Sequence, residues 1–467
     1  MQSYFGHIYL PKNNKIQFNP QTVEDCIEEE YELIEGVRLF MDGDEFWIET
    51  AARLFGLEKY HLVVGAFTSL GYVSLLECNV IGTSNGIGGF ETKISCRYIL
   101  TGLKIENVEH LKFTQLSVTM PSLRNWFDKT IFDEVNIFKG NIKLVKHNTV
   151  NLIDFDTFSL EVEFGINQNW NRETGLKIND SVVLRIKSKE DRLSIWELVE
   201  VYKKFKNFLA FIGIFDKGED KFTFFDKDVK YENLDELVTM NFYCKQYNFK
   251  NNGVDTIKKV KYDFMKNDIE TILHKWYNLN ELSDSIDLVL EKYFQAKLSK
   301  DVFFLNSCFA IETYHRRFKG NKRYTKAEFR KIKNEILAKI ENEEVKTFFN
   351  DKLAHANEPS FRERLQSLRE DFQTVLPLET DIDHLIKRIV KTRNFIVHRD
   401  SSEDIIKGLE LFYTSFYLEA LTKLCIFKEL GFSQEHIQTM FSNSRYQIES
   451  MYNLNKRLQS GINKNKA

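Results

Sequence analysis

The sequence predicts an α+β, multidomain protein: a β-rich N-terminal domain, sandwich- or barrel-like, followed by an all-α helical bundle. Over residues 1 to about 187, short stretches rich in aromatic and β-branched residues recur between Gly, Asn and Asp. From about residue 284 onward, apolar residues recur at helical spacing. A length of 467 residues with 43% apolar content is enough for two or three domains with cores of their own. The boundary is placed between a first domain at 1–285, which also carries some helix, and a bundle at 286–467.

Strands are expected at Tyr60–Phe67, Tyr72–Ile81, Lys93–Leu100, Lys112–Thr119, Phe158–Phe164 and Ser181–Ile186, where apolar and polar residues alternate. Gly82–Gly89 reads as a loop. It lacks a dinucleotide fingerprint, because Glu91 stands where a third glycine is needed. The acidic run Glu24–Glu35 reads as a solvated face. Residues 190–211 switch to helical spacing through Leu193, Trp196, Leu198, Val201, Phe205 and Phe208. The bundle opens at NELSDSIDLVL, with Ser or Asp as the cap. Its helices are expected near 284–318, 325–350, 360–375, 381–398, 403–430 and 433–458.

Composition excludes several classes. A net charge of −3 rules out a basic field over the whole chain, so any nucleic-acid footprint is local. The six cysteines, Cys26, Cys78, Cys96, Cys244, Cys308 and Cys425, are scattered without a CxxC pair, as reduced thiols in a cytoplasmic protein would be. The opening MQSYFGHIYLPKNN has no basic-then-apolar signal pattern, and no apolar run reaches the roughly 18 residues of a membrane span. His355 has no HxxxH or HExxH around it and reads as a helix-end histidine. No phosphate loop is present. Neither a metal nor a cofactor is expected.

The stretch Lys391-Thr392-Arg393-Asn394-Phe395-Ile396-Val397-His398 closes a periodic helix. Among ten histidines only His398 follows an arginine, Arg393, by four to six intervening residues. A guanidinium can stabilise the extra negative charge of a phosphoryl transition state, and an imidazole can move a proton at neutral pH. Ile382, Leu385, Ile386, Ile389 and Val390 make a buried stripe; its next position is Arg393, and Val397 resumes it. A charge there is either paired or snorkels out at the helix end. Asn394 and His398, four apart, share a face, so the amide could orient the imidazole. Arg393 and His398, five apart, diverge by about 140° on a straight helix. One site holding both needs a distorted helix end, a convergent cleft, or two chains.

Glu312 lies in the apolar stretch from Phe303 to Phe318, and Arg393 is the cation it would meet. The pair would either position a catalytic arginine or serve as a structural tie. From His315 to Lys333 the chain is basic, with Arg316, Arg317, Lys322 and Arg323 at its start and aromatics interleaved. This suits either a single-stranded RNA path or a solvated helix face.

These residues resemble a known family. Arg393, Asn394 and His398 are similar to the Arg-x(4–6)-His motif of the HEPN superfamily, polar residue after the arginine included. CFAIETYHRRF and LAHANEPSFRERLQSL look like the ApeA-like HEPN family. Gly6-His7-Ile8-Tyr9-Leu10-Pro11, the strands from Val64-Gly65 to Asn79, and Leu100-Thr101-Gly102 are similar to the ApeA N-terminal domain. The resemblance covers most of the chain. It implies a metal-independent endoribonuclease of anti-phage defence that causes abortive infection. It also implies a homodimer in which two motifs meet across the HEPN interface. On this reading the catalytic residues are Arg393, Asn394, His398 and Glu312, and the RNA-binding residues are Arg316, Arg317, Lys322 and Arg323. The substrate is RNA, transfer RNA among the candidates, and the N-terminal domain senses a phage protein or restrains the nuclease. The competing class is a non-catalytic HEPN module that binds RNA or protein in a defence or toxin–antitoxin system.

Overall fold

The computed structural model describes residues 1–11, 31–43, 45–52, 59–86, 89–103, 111–130, 132–136, 141–172, 175–215, 218–230, 236–244, 259–295, 297–320, 322–376, 382–399 and 403–442. The chain forms two compact units: residues 1–206 with 216–248, and residues 207–215 with 249–467.

The first unit is built on antiparallel strands. They are β1 (Gln2–Pro11), β2 (Tyr31–Asp42), β3 (Glu45–Thr50), β4 (Lys59–Phe67), β5 (Gly71–Gly86), β6 (Gly89–Thr101), β7 (Lys112–Phe113) and β8 (Gln115–Thr119). After helix α1 (Pro121–Phe127) come β9 (Phe132–Asn136), β10 (Asn141–Leu144), β11 (Val150–Asp154), β12 (Phe158–Asn171), β13 (Gly175–Ser188) and β14 (Leu193–Ser194). Helix α2 (Ile195–Phe211), whose residues from 207 onward belong to the second unit, β15 (Lys221–Phe225) and β16 (Met240–Cys244) follow.

Strands β6, β3, β2, β1, β4 and β5 pair in that order, and β5 pairs back to β6, so they close a barrel. Ile8, Val37, Leu39, Ile48, Val63, Val73, Leu75, Ile94 and Ile99 fill its core, the period-2 side of each strand. Closure leaves these six strands without a free edge along much of their length. At Gly6, where β1 bulges against β2, a Cβ would stand 2.1 Å from the Ala66 carbonyl oxygen of β4. Only glycine fits there.

One edge of β6 is shared. Thr92–Cys96 pairs with β3, and Tyr98–Thr101 pairs with β16. From β16 an open sheet continues through β15, β8, β13, β12 and β11. The sandwich- or barrel-like expectation is thus a closed barrel running on into an open sheet. The glycine-rich stretch expected as a loop instead extends β5, with Gly82 opposite Lys93 and Gly86 opposite Gly89. Backbone pairing needs no side chains, so glycine weakens a strand without forbidding it. The expected Lys112–Thr119 strand is two, broken at Thr114. Residues 24–30 of the acidic run lie outside the described residues, and 31–35 form part of β2. Helix α2 starts later than its periodicity suggested, because Ser194 and Glu197 form a capping box: the Glu197 carboxylate accepts from the Ser194 amide at 2.8 Å.

The second unit is helical. It holds α3 (Tyr262–Met265), α4 (Ile269–Asn278), α5 (Ser283–Phe294), α6 (Lys300–Phe318), α7 (Lys326–Ala338), α8 (Glu343–Lys352), α9 (Phe361–Phe372), α10 (Ile382–His398) and α11 (Gly408–Leu430). Residues 434–442 are also helical, and the rest of the segment expected near 433–458 lies outside the described residues. Helix α11 is buried on every side from Thr414 to Phe427, as a helix through the middle of a bundle must be. Inside it, Glu419 accepts from Lys292 at 2.7 Å and lies 3.3 Å from Lys423, so the buried charges are paired.

Two expected helices are split. Residues 284–318 form α5 and α6, because Gln295 is extended and the Ser299 hydroxyl caps α6 by accepting from the Val302 amide at 3.2 Å. Residues 325–350 form α7 and α8, where Asn342 caps the second. The cap expected at the start of α5 is not made by a side chain: Ser283 donates to the Asn280 carbonyl instead. Among the described residues no helix is long and apolar enough to cross a membrane.

Candidate functional site

Helix α6 buries Phe304, Cys308, Ile311 and Tyr314, which leaves Glu312 at the border of the core. Helix α10 buries Leu385, Ile386, Ile389 and Thr392, and Arg393 follows at the stripe's edge. The two meet. Arg393 Nη2 donates to Glu312 Oε2 at 3.2 Å. The guanidinium carbon sits 5.7 Å from the Phe309 ring centre and 5.6 Å from that of Phe361, so aromatic faces hold its flanks. Val397, expected to resume the buried stripe, is exposed; the last turn of α10 stands clear of the core.

Helix α10 is fixed by contacts away from Arg393. Arg388 forms a two-pronged ion pair with Glu410, one prong 3.0 Å, and lies 3.0 Å from Asp404. The buried Thr392 hydroxyl donates to the Arg388 carbonyl at 2.7 Å and accepts from the Ile406 amide at 2.9 Å.

Asn394 and His398 are exposed on the last turns of α10. The helix runs unbroken to His398, and the Arg399 amide still donates to the Phe395 carbonyl at 2.8 Å. Arg399 then turns left-handed. Among the described residues neither Asn394 nor His398 makes a side-chain hydrogen bond or ion pair. Arg393 faces α6, and among the described residues no side-chain contact joins it to His398.

The basic residues divide. Arg316 donates to Glu312 Oε1 at 3.1 Å and lies 3.6 Å from Glu358, and Lys322 lies 3.4 Å from Glu358. These two therefore cluster beside Arg393. Arg317, 100° further round α6, turns to Asp284 and the Glu281 carbonyl. Arg323 pairs with Glu363 and donates to the Ala356 carbonyl at 3.0 Å.

Two neighbours, Arg364 and Asn357, were not singled out from the sequence. Arg364 of α9, 1% exposed, donates to His315 Nδ1 at 3.1 Å and lies 3.9 Å from Glu358. Burial, then Arg364 and Lys319, pull His315 down to about 4, so its imidazole is neutral and Nδ1 accepts. Buried Asn357 clips the segment carrying Lys322 and Arg323. Its Oδ1 accepts from the Tyr324 amide at 2.9 Å, and its Nδ2 donates to the Tyr324 carbonyl at 3.0 Å. Burial holds the Cys308 thiol well above its ordinary value, so it stays protonated. The Ser360-x-x-Glu363 capping box was the one local signal for this corner: it starts α9 one turn before Arg364.

A β-barrel unit joined to a helical unit, whose late helix ends in an arginine, an amide and a histidine, defines a two-part HEPN-type protein. The chain belongs to the ApeA-like HEPN family. ApeA N-terminal domain 1 matches residues 3–276, and Apea-like HEPN matches residues 305–436. Membership brings the RNA-related function of HEPN proteins and their association with defence. No curated protein matches the chain. Among solved structures, "MrkH, A novel c-di-GMP dependence transcription regulatory factor" aligns at 9% identity over 44% of this chain and 85% of its own. Its TM-score of 0.11 is too low to carry an argument.

Proposed function

We propose that the chain is a metal-independent endoribonuclease of anti-phage defence, cutting RNA at a site composed from two copies. The ribose 2′-oxygen bonds to the adjacent phosphorus while the bond to the 5′-oxygen breaks, leaving a 2′,3′-cyclic phosphate and a 5′-hydroxyl. His398 takes the 2′-hydroxyl proton or supplies the proton to the leaving 5′-oxygen. Arg393 stabilises the phosphorane charge. Asn394 orients His398 or the phosphate, and Glu312 sets the direction of Arg393. Arg316, Arg317, Lys322 and Arg323 guide the RNA backbone. The N-terminal unit senses the phage trigger or restrains the nuclease, and release causes abortive infection.

The carrying observation is the 3.2 Å pair between Arg393 and Glu312. It points a half-buried guanidinium while leaving Asn394 and His398 open to a substrate or a second chain. The test is labelled RNA incubated with purified protein in EDTA. Cleavage that persists there and is lost in both Arg393→Ala and His398→Ala supports the reading. RNA bound but uncut by the wild-type chain favours the binding module. Cleavage retained in both variants sinks the site.

A further inference from the structure

Glu312 holds two guanidinium groups at once. Its Oε2 accepts from Arg393 at 3.2 Å and its Oε1 accepts from Arg316 at 3.1 Å. One cation from α10 and one from α6 are therefore kept side by side. Each uses Nη2 for the carboxylate, and among the described residues the Nη1 of neither makes a hydrogen bond. An arginine has about five donors, so both keep most of their fork for another acceptor.

A second carboxylate continues the row. Glu358, in the turn before α9, lies 3.6 Å from Arg316, 3.4 Å from Lys322 and 3.9 Å from Arg364. Arg364 is buried and anchors Glu358 from the core side, whereas the Arg316 side chain is 48% exposed and can meet a ligand from solvent. The cluster thus sets four cations, Arg316, Lys322, Arg364 and Arg393, against two carboxylates. The neighbouring pairs Arg323–Glu363 and Lys319–Asp371 are each neutral as a whole, and the His315 imidazole is neutral. Burial, and then the charge of Arg316, hold Arg364 below its ordinary value, as an excess of positive charge does. A phosphodiester carries about one negative charge and the phosphorane formed from it about two, so an excess of two positive charges suits the transition state better than the substrate.

We propose that Arg316 and Arg393 form a two-guanidinium clamp on one phosphate, the one that reacts, and that Glu358 is the positioning residue that keeps Arg316 beside Arg393. Arg316 then belongs with the reacting atoms and not with the flanking RNA backbone. Without Glu358 its one remaining carboxylate is Glu312, a turn away on its own helix. The proposal deepens the nuclease reading above and rests on it for the identity of the phosphate.

The test measures kcat and KM for labelled transfer RNA in EDTA. Arg316→Lys keeps the charge and loses the fork. It is expected to lower kcat about 10²-fold with KM changed by less than about threefold, as for an interaction made only in the transition state. A residue that only guides the backbone would raise KM and leave kcat alone. Glu358→Gln is expected to lower kcat about tenfold in the wild-type chain and to add no loss to Arg316→Lys, because the two act through one group. Glu358→Asp should restore part of the rate.

Inorganic phosphate, titrated by calorimetry at constant ionic strength, gives a readout that needs no cleavage. Saturable binding is expected, weakened about tenfold by Arg316→Lys and by Arg393→Lys alike. Phosphate binding that responds to both variants without any RNA cleavage keeps the clamp and removes the nuclease reading. Cleavage whose Arg316→Lys loss is confined to KM, or phosphate binding that is absent or indifferent to Arg316→Lys, overturns the clamp and leaves the nuclease reading to its own test. Losses from Glu358→Gln and Arg316→Lys that multiply independently overturn the role of Glu358.

Discussion

Arg393 Nη2 and Glu312 Oε2 stand 3.2 Å apart, joining the last turns of α10 to α6 across 81 residues of sequence. Both side chains are partly exposed, so the pair adds only on the order of 1 kcal/mol to stability. A double-mutant cycle with Glu312→Gln and Arg393→Gln, followed by urea unfolding, should give a coupling of that size. The expected effect on RNA cleavage is larger: removing Arg393 costs roughly 10²–10³ in rate, as loss of a transition-state donor does. Glu312→Gln should cost less, since the arginine remains but loses its orientation. Equal loss from both would mean that Glu312 does more than aim Arg393.

His315 predicts a pH dependence. Its folded value of about 4 lies below the roughly 6.5 of an unfolded histidine. Between those values the unfolded chain binds the extra proton, so stability is complete above about pH 6.5 and declines as pH falls toward 4. Below that the contribution is flat, with a total change on the order of 3 kcal/mol. His315→Gln should remove this part of the profile in urea titrations at stepped pH. An unchanged slope in the variant would show that other groups carry it.

How much of this was legible depended on range. The helix ending in Arg393 and His398 was visible because five apolar residues repeat at one spacing, and the Arg393–Glu312 encounter followed from the cost of an unpaired buried charge. The splits at Ser299 and Asn342 were missed because apolar periodicity continues across them, and only the caps break it. The barrel's closure rests on β5 pairing back to β6, a register that no local pattern encodes. The contact between Arg364 and His315 was hidden for a similar reason. The two residues sit 49 apart in the sequence, and only burial reveals that one is a donor and the other a neutral acceptor.

Asn357 makes a prediction that separates placement from charge. Its amide satisfies both backbone groups of Tyr324, and the Asn357 carbonyl accepts from the Arg323 amide at 2.8 Å. Asn357→Ala removes the side-chain clip while every cation stays. It should cost about 1–3 kcal/mol of stability and speed amide exchange at Tyr324. RNA affinity should fall as Lys322 and Arg323 lose their seat. Affinity equal to wild type, with the Tyr324 amide exchanging faster, would remove this segment from the RNA path.

The unbroken course of α10 gives the sharpest test of the shared site. Arg393 and His398 are five residues apart on a continuous helix, so their side chains leave it about 140° apart. Arg393 is committed to α6, and His398 projects from the far end. If each site takes its arginine from one copy and its histidine from the other, two inactive variants can repair each other. A mixed dimer of Arg393→Ala with His398→Ala has one site lacking both groups and one site lacking neither. Random exchange makes half the dimers mixed, so an equal mixture should regain roughly a quarter of wild-type cleavage. Were each site instead built within one chain, every site in the mixture would lack one group, and the mixture would stay as inactive as its parts.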